Sequence, residues 1–252
     1  MFDVEKVTNE IVEFIRDYYK KNNLGGIVLG ISGGKDSGVV AALFSKALGS
    51  ENVLGVTMPC QSEKKDKDLA KVVADFYGFE LINIDLTSVF GTFKTEIVKL
   101  GDFTEENLKN SDINLKPRLR MSTLYYLSAL YSSIKGKTYL VGGTSNKSEL
   151  YVGYFTKGGD SVHDISVLSD LTVDEVIKVG EYLKVPHEVL YRVPSDGLSN
   201  LSDEDKLGVK YKDIATYFDD KDVLPKEVST KIEELHNNNQ HKFVIPSYRQ
   251  NK

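Results

Sequence analysis

"GGIVLGISGGKDSGVVAALFSKAL", residues 25–48, decides the fold. The stretch Gly25–Ile31 sets β-branched and apolar residues between glycines, the pattern of a buried strand. Asp36–Leu48 has helical composition and stops at Gly49, a residue suited to a helix C-terminus. A strand, a glycine turn and a helix in that order form the repeating unit of a parallel sheet covered by helices.

The same alternation continues on both sides. Val4, Val7, Ile11, Phe14, Ile15 and Tyr18 fall on one face of a helix over 4–19. "NVLGVTMP" (52–59) reads as a strand, and the segment 63–78 as a helix with an inner face of Leu69, Val72, Val73 and Phe76. "FELINIDL" (79–86) is a third strand, followed by a helix over Thr87–Leu100. Residues 101–115 read as a polar loop with at most a short helical turn. Residues 116–134 form the most apolar helix candidate, either central or at a subunit interface. "KTYLVGG" (137–143) is a fourth strand, a fifth is expected near Val189–Val193, and helices near 172–184, 203–217 and 225–236 follow. The expectation is one domain over 1–252: α/β, with a Rossmann-like parallel sheet of about five strands and helices on both faces. Ligands of such sheets bind beyond the carboxyl ends of the strands.

Composition narrows the function. The formal net charge of −5 argues against broad binding to nucleic acid. The single cysteine, Cys60, excludes an internal disulfide framework and a cysteine-rich zinc site; it reads as a small core residue. The N-terminus has no apolar signal core and no run reaches membrane-spanning length, so a cytoplasmic protein is expected, with no membrane partner.

The turn itself, "GISGGKDS" (30–37), has phosphate-loop character. Ser32, Gly33 and Gly34 can bring backbone N–H groups toward an anion, and the following helix points its positive end at the same spot. It is not the nucleotide loop G-x-x-x-x-G-K-[ST]: Leu29 stands at the first glycine, and Asp36 follows Lys35 where a hydroxyl is required. A helix terminus at an exposed site contributes only about 0.3–1 kcal/mol, so holding a polyphosphate calls for a metal ion. Asp36 offers that ion a hard oxygen ligand, which accounts for an acid in place of the hydroxyl. In isolation, the aspartate would read as a helix cap.

The string Ser-Gly-Gly-Lys-Asp-Ser resembles the PP-loop of the ATP pyrophosphatases, which cut ATP between its α- and β-phosphates. "NLKPRLRM" (114–121), "GGTSNKSELYVGYFTKGGDSVHDI" (142–165), "PSDGLSNLSDEDKLGVKY" (194–211) and "HKFVIP" (241–246) follow in order. Together they resemble the ammonia-dependent NAD synthetases over nearly the whole chain. The resemblance implies that Gly30, Ile31, Ser32, Gly33, Gly34, Lys35, Asp36 and Ser37 wrap the pyrophosphate end of ATP, with Thr144 and Ser195 as further ATP contacts. It implies magnesium on Asp36 and Glu149, and deamido-NAD held by Arg118, Lys157, Asp164, His241 and Lys242. Asp36, Lys157 and Asp164 would take part in catalysis, Asp164 as a possible proton acceptor. Taken singly, Arg118 and Lys157 read as solvated charges, Asp164 as a turn cap, Glu149 as a helix-surface acid, and His241 and Lys242 as part of a polar tail.

Three positions depart from the family pattern. Val173 stands where many members have a lysine reaching ATP; "NLSDE" (200–204) lacks the usual glycine of a candidate lid; Val167 replaces a common proline. The implied reaction is amidation of deamido-NAD by free ammonia, with ATP cleaved to AMP and pyrophosphate, in a homodimer. Glutamine-dependent members carry an extra glutaminase domain for which this chain has no room. A tRNA-modifying PP-loop enzyme is the alternative; thiolation usually needs paired cysteines, which one cysteine cannot supply. A non-catalytic nucleotide-binding module is the second rival.

Overall fold

The computed structural model describes residues 2–61, 64–192 and 202–248. Five parallel strands form one sheet in the order β3-β2-β1-β4-β5. They are β1 (Gly26–Gly30), β2 (Val53–Thr57), β3 (Glu80–Asn83), β4 (Tyr139–Gly143) and the short β5 (Ile165–Ser166). The central strand β1 is buried on both faces, as its continuous apolar run requires. Strand side chains alternate between faces, so the two sides of β1 enter different cores. Ile27 and Leu29 pack with α1 (Val4–Lys21), α2 (Lys35–Leu48), α3 (Lys64–Tyr77) and α7 (Val173–Tyr182). Val28 packs with Leu54 and Val56 against α4 (Thr87–Val98) and α5 (Glu105–Lys135), through Phe90 and Leu127. A third cluster, holding Val152, Tyr211, Ile214 and Ile232, joins α6 (Lys147–Val152) to a C-terminal layer. That layer comprises α9 (Asp203–Leu207), α10 (Tyr211–Asp220) and α11 (Lys226–Asn238).

Four expectations are corrected. The fifth strand is Ile165–Ser166, paired with Gly142 and Gly143 of β4, and not a segment near 189–193. Val189 and Leu190 belong to a short helix, α8 (His187–Leu190), buried against α2. A four-residue apolar run fits a buried helical turn as well as a strand. Residues 105–115 are helical, because α5 starts at Glu105. Its Thr104 hydroxyl accepts from Asn107 N–H (3.1 Å) and the Asn107 side-chain carbonyl accepts from Thr104 N–H (3.3 Å), a reciprocal cap that the polar composition concealed. On α1, Val4, Val7, Ile11 and Ile15 pack inward as expected, joined by Thr8, Val12 and Tyr19, while Phe14 and Tyr18 are exposed; on α3, Phe76 is likewise exposed. The expected helix over 203–217 is two helices, α9 and α10, separated at Gly208 in a left-handed conformation. Val193 and Ser195 lie outside the described residues.

The sheet tolerates no extra atom at its first strand. A Cβ on Gly26 would stand 2.4 Å from the Asn52 carbonyl oxygen and 2.5 Å from the Tyr139 ring. Backbone cannot swing aside as a flexible side chain can. Gly26→Ala is therefore expected to lower stability by about 1–3 kcal/mol, read as a fall in the urea midpoint.

Candidate active site

The carboxyl ends of β1, β2 and β4 open into a cavity of about 400 Å³. Its floor is the turn after β1. Gly33 adopts φ 75°, a left-handed conformation that a side chain would strain. The two serines hold the turn: Ser37 Oγ accepts from Ser32 N–H (3.2 Å) and donates to the Gly34 carbonyl (3.1 Å). Gly34 N–H in turn donates to Ser32 Oγ (3.3 Å). These bonds brace the turn from within.

Lys35 and Asp36 open α2, and both are largely buried. Lys35 Nζ donates to Asp36 Oδ2 (2.9 Å). Asn146, fully buried, donates from Nδ2 to Asp36 Oδ1 (3.1 Å). Asn146 also caps α6, its Oδ1 accepting from Glu149 N–H (3.1 Å) while Glu149 Oε2 accepts from Asn146 N–H (3.2 Å). One asparagine therefore ties the carboxylates of α2 and α6 together across 110 residues of chain. Sequence reading passed over it; the cap signal Asn-x-x-Glu within "TSNKSE" marks it.

The electrostatics follow from this crowding. Burial, and then the charge of Asp36, push the Glu149 carboxyl up to about 8, against the pull of Lys35. Burial alone would lower the Lys35 ammonium, but Asp36, Glu149 and Asp203 hold it above its usual range. Asp203, on α9, lines the same end of the cavity and accepts from the Tyr154 hydroxyl (2.8 Å). Acids from three elements thus share one lysine, a donor set short of positive charge.

That set fits a magnesium ion. Asp36 and Glu149 supply two hard oxygens, and such an ion takes its remaining ligands from phosphates and water. Among the described residues, no group of three or more His, Cys, Asp or Glu could hold a metal unaided.

Four of the remaining expected residues converge outside the cavity lining. Thr144 lines the cavity at the end of β4. Arg118 donates through Nε and Nη2 to the Lys157 carbonyl (3.3 and 3.2 Å), and Lys157 Nζ donates to the His241 carbonyl. Lys242 Nζ donates to the carbonyls of Gly153 (2.6 Å) and Phe155 (3.0 Å), anchoring a segment that reads as a tail. Arg118, Lys157, His241 and Lys242 therefore form one neighbourhood. Asp164 is committed differently. Its Oδ2 accepts from Val141 N–H (2.8 Å) and its Oδ1 from the Tyr125 hydroxyl (3.0 Å), bracing β4 against α5. Val173 opens α7 and packs into the third core cluster. Arg120, Asp160, His163 and Arg192 also line the cavity, beyond the residues that sequence motifs singled out.

Residues 7–246 match the family described as NAD synthase. The "NH(3)-dependent NAD(+) synthetase" of Methanocaldococcus jannaschii is 38% identical, covering 96% of this chain and 96% of its own length. The structure of an NMN synthetase from Francisella tularensis superimposes with a TM-score of 0.87 at 29% identity, covering 99% of each chain. An NH3-dependent NAD synthetase from Campylobacter jejuni, in complex with the nitrate ion, gives 0.79 at 30% identity, covering 99% of this chain and 100% of that one.

Proposed function

This chain belongs to the NAD synthase family, and from that premise we infer that it is a ligase that amidates deamido-NAD with ammonia, converting ATP to AMP and pyrophosphate. One observation carries the residue assignment: Lys35, Asp36 and Glu149 converge at a self-braced glycine turn beyond the carboxyl end of β1.

The chemistry runs in two steps. The nicotinate carboxylate attacks the α-phosphorus of ATP, and pyrophosphate leaves into the turn 30–37. Backbone N–H groups there, the start of α2 and Lys35 take up its charge. Asp36 and Glu149 would hold magnesium, whose positive charge offsets that of the phosphates. Thr144 and Ser195 are proposed ATP contacts. Arg118, Lys157, His241 and Lys242 are proposed to hold deamido-NAD, presenting its carboxylate to the nucleotide. Asp164, which braces β4, is proposed as a further contact to deamido-NAD. Ammonia then attacks the mixed anhydride and AMP departs. Fixing the two nucleotides side by side would supply much of the rate gain through proximity.

The direct test incubates protein with ATP, magnesium, deamido-NAD and ammonium chloride, and quantifies NAD and AMP. Equal yields are expected; AMP without NAD would assign the adenylating loop to another acceptor. The likeness to the NMN synthetase from Francisella tularensis motivates a second arm, with the mononucleotide counterpart of deamido-NAD as acceptor. A higher kcat/KM there would reassign the substrate.

We further propose a homodimer, in the cytoplasm. Val89, Phe93 and Ile97 form an exposed stripe at helical spacing on α4, and Tyr126, Leu130 and Ile134 form another on α5. Adjacent apolar stripes of this kind mark interaction surfaces. Light scattering is expected to give twice 28.2 kDa, and Phe93→Glu with Leu130→Glu to give the monomer mass. A wild-type monomer at micromolar protein would refute the dimer. Among the described residues no helix is long and apolar enough to cross a membrane.

A further inference from the structure

Attack by ammonia requires a group that removes a proton. The C–N bond forms from the nitrogen lone pair, and the carbonyl π electrons move to oxygen. One N–H proton must then leave before the C–O bond to phosphate breaks and AMP departs with its electron pair. Asp164, the acid that sequence suggests for this task, accepts from Val141 N–H and the Tyr125 hydroxyl, which fix its carboxylate between β4 and α5. Asp36 and Glu149 are tied to Asn146 and assigned to the metal. Asp160 accepts from Thr156 N–H (2.8 Å), closing its own turn.

His163 is differently placed. It lines the cavity beside Gly143, the last residue of β4 and the neighbour of Thr144. A Cβ on Gly143 would fall 2.5–2.6 Å from its Cγ, Cδ2 and Nδ1. Near-equal distances to three ring atoms lay the imidazole flat on the glycine. Nδ1 is buried and has no hydrogen-bond partner among the described residues. His163 therefore shares the cavity wall with Thr144, the proposed ATP contact, and with Asp160, on the segment that also carries Lys157. An unpaired buried ring nitrogen costs stability unless a ligand satisfies it. Histidine is also the side chain most often used for proton transfer in a transition state.

We propose that His163 is a catalytic residue of the amidation step, its imidazole taking the proton that ammonia loses as the C–N bond forms and releasing it to solvent. Charged groups around it are Asp160 and Asp164 on its own segment and Arg120 from α5, which lines the same cavity. The small Gly143 is part of the device, since any side chain there would displace the ring.

This inference rests on the proposed reaction, and the two half-reactions separate its failure from that of the reaction. Deamido-NAD-dependent ATP–pyrophosphate exchange reports adenylation alone; NAD formation reports both steps. In His163→Asn and His163→Phe, net synthesis from ammonium chloride is expected to fall by about 10²-fold with exchange within a few-fold of wild type. Hydroxylamine, whose weakly basic nitrogen gives a more acidic adduct that solvent can deprotonate, is expected to recover much of the lost turnover as the hydroxamate. The phenylalanine variant keeps a ring on Gly143, so its thermal midpoint reports whether packing survives. Equal loss of exchange and synthesis, or loss that hydroxylamine does not relieve, would make His163 a binding or packing residue and overturn the proposal. So would unchanged synthesis in both variants. A wild-type protein lacking exchange would refute the reaction itself.

Discussion

Asp36→Asn is expected to lower NAD synthesis by about 10²–10³-fold, and to lower ATP–pyrophosphate exchange equally. The substitution keeps shape and removes charge. The introduced amide could still accept from Asn146 Nδ2 and lie beside Lys35 Nζ, now without its ion pair. What disappears is a hard anionic oxygen at the start of α2, where the departing pyrophosphate and its metal must be held together. Loss before the first chemical step explains why both readouts fall in parallel, in contrast to the split expected at His163. The fold should survive, because Lys35 keeps Glu149 and Asp203 as neighbouring acids and Glu149 ionises more readily once the Asp36 charge is gone. A variant within threefold of wild type at saturating magnesium would remove Asp36 from the metal site. Exchange that persists while synthesis is lost would place it in the second step instead.

Glu149→Gln separates activity from stability. Activity should fall by a factor comparable to that for Asp36→Asn, because the second metal oxygen loses its charge. Stability without metal should move the other way. The Glu149 carboxyl is raised in the fold from 4.5 to about 8, by burial first and the Asp36 charge second. The folded protein therefore binds a proton that the unfolded chain has released. Its contribution is fully present below the unfolded value and is lost as pH rises through the folded one. Glutamine keeps the oxygen that accepts from Asn146 N–H but cannot ionise. In the presence of a chelator, the urea midpoint of Glu149→Gln should thus match wild type at about pH 4, exceed it progressively as pH rises toward about 8, and keep a constant lead above that. Magnesium should narrow the gap by stabilising wild type alone. A difference that stays flat across that range would mean that Glu149 is not a strained acid in the fold.

Much of this architecture was legible in the chain because its signals are local. The glycine turn flanked by a β-branched run and a helical run needs only neighbours to be read. The same holds for β2, β3, β4 and the helices between them. Local signals misled where polarity hid a helix, at residues 105–115 of α5, and where a short apolar run in α8 resembled a strand. The motif order around residues 142–165 and 241–246 pointed to the reaction and to most of the residues proposed for it.

What the sequence could not determine are the relations between segments far apart along it. The role of Asn146 as the tie between Asp36 and Glu149 depends on α2 and α6 meeting beyond the carboxyl ends of β1 and β4. The engagement of Asp164 by Val141 and Tyr125 depends on β4 and α5 lying alongside it, and the flat seat of His163 on Gly143 depends on the pairing of β5 with β4. A residue's type and its neighbours set what hydrogen bonds it can make. Only the folded chain decides which of those partners lie within reach.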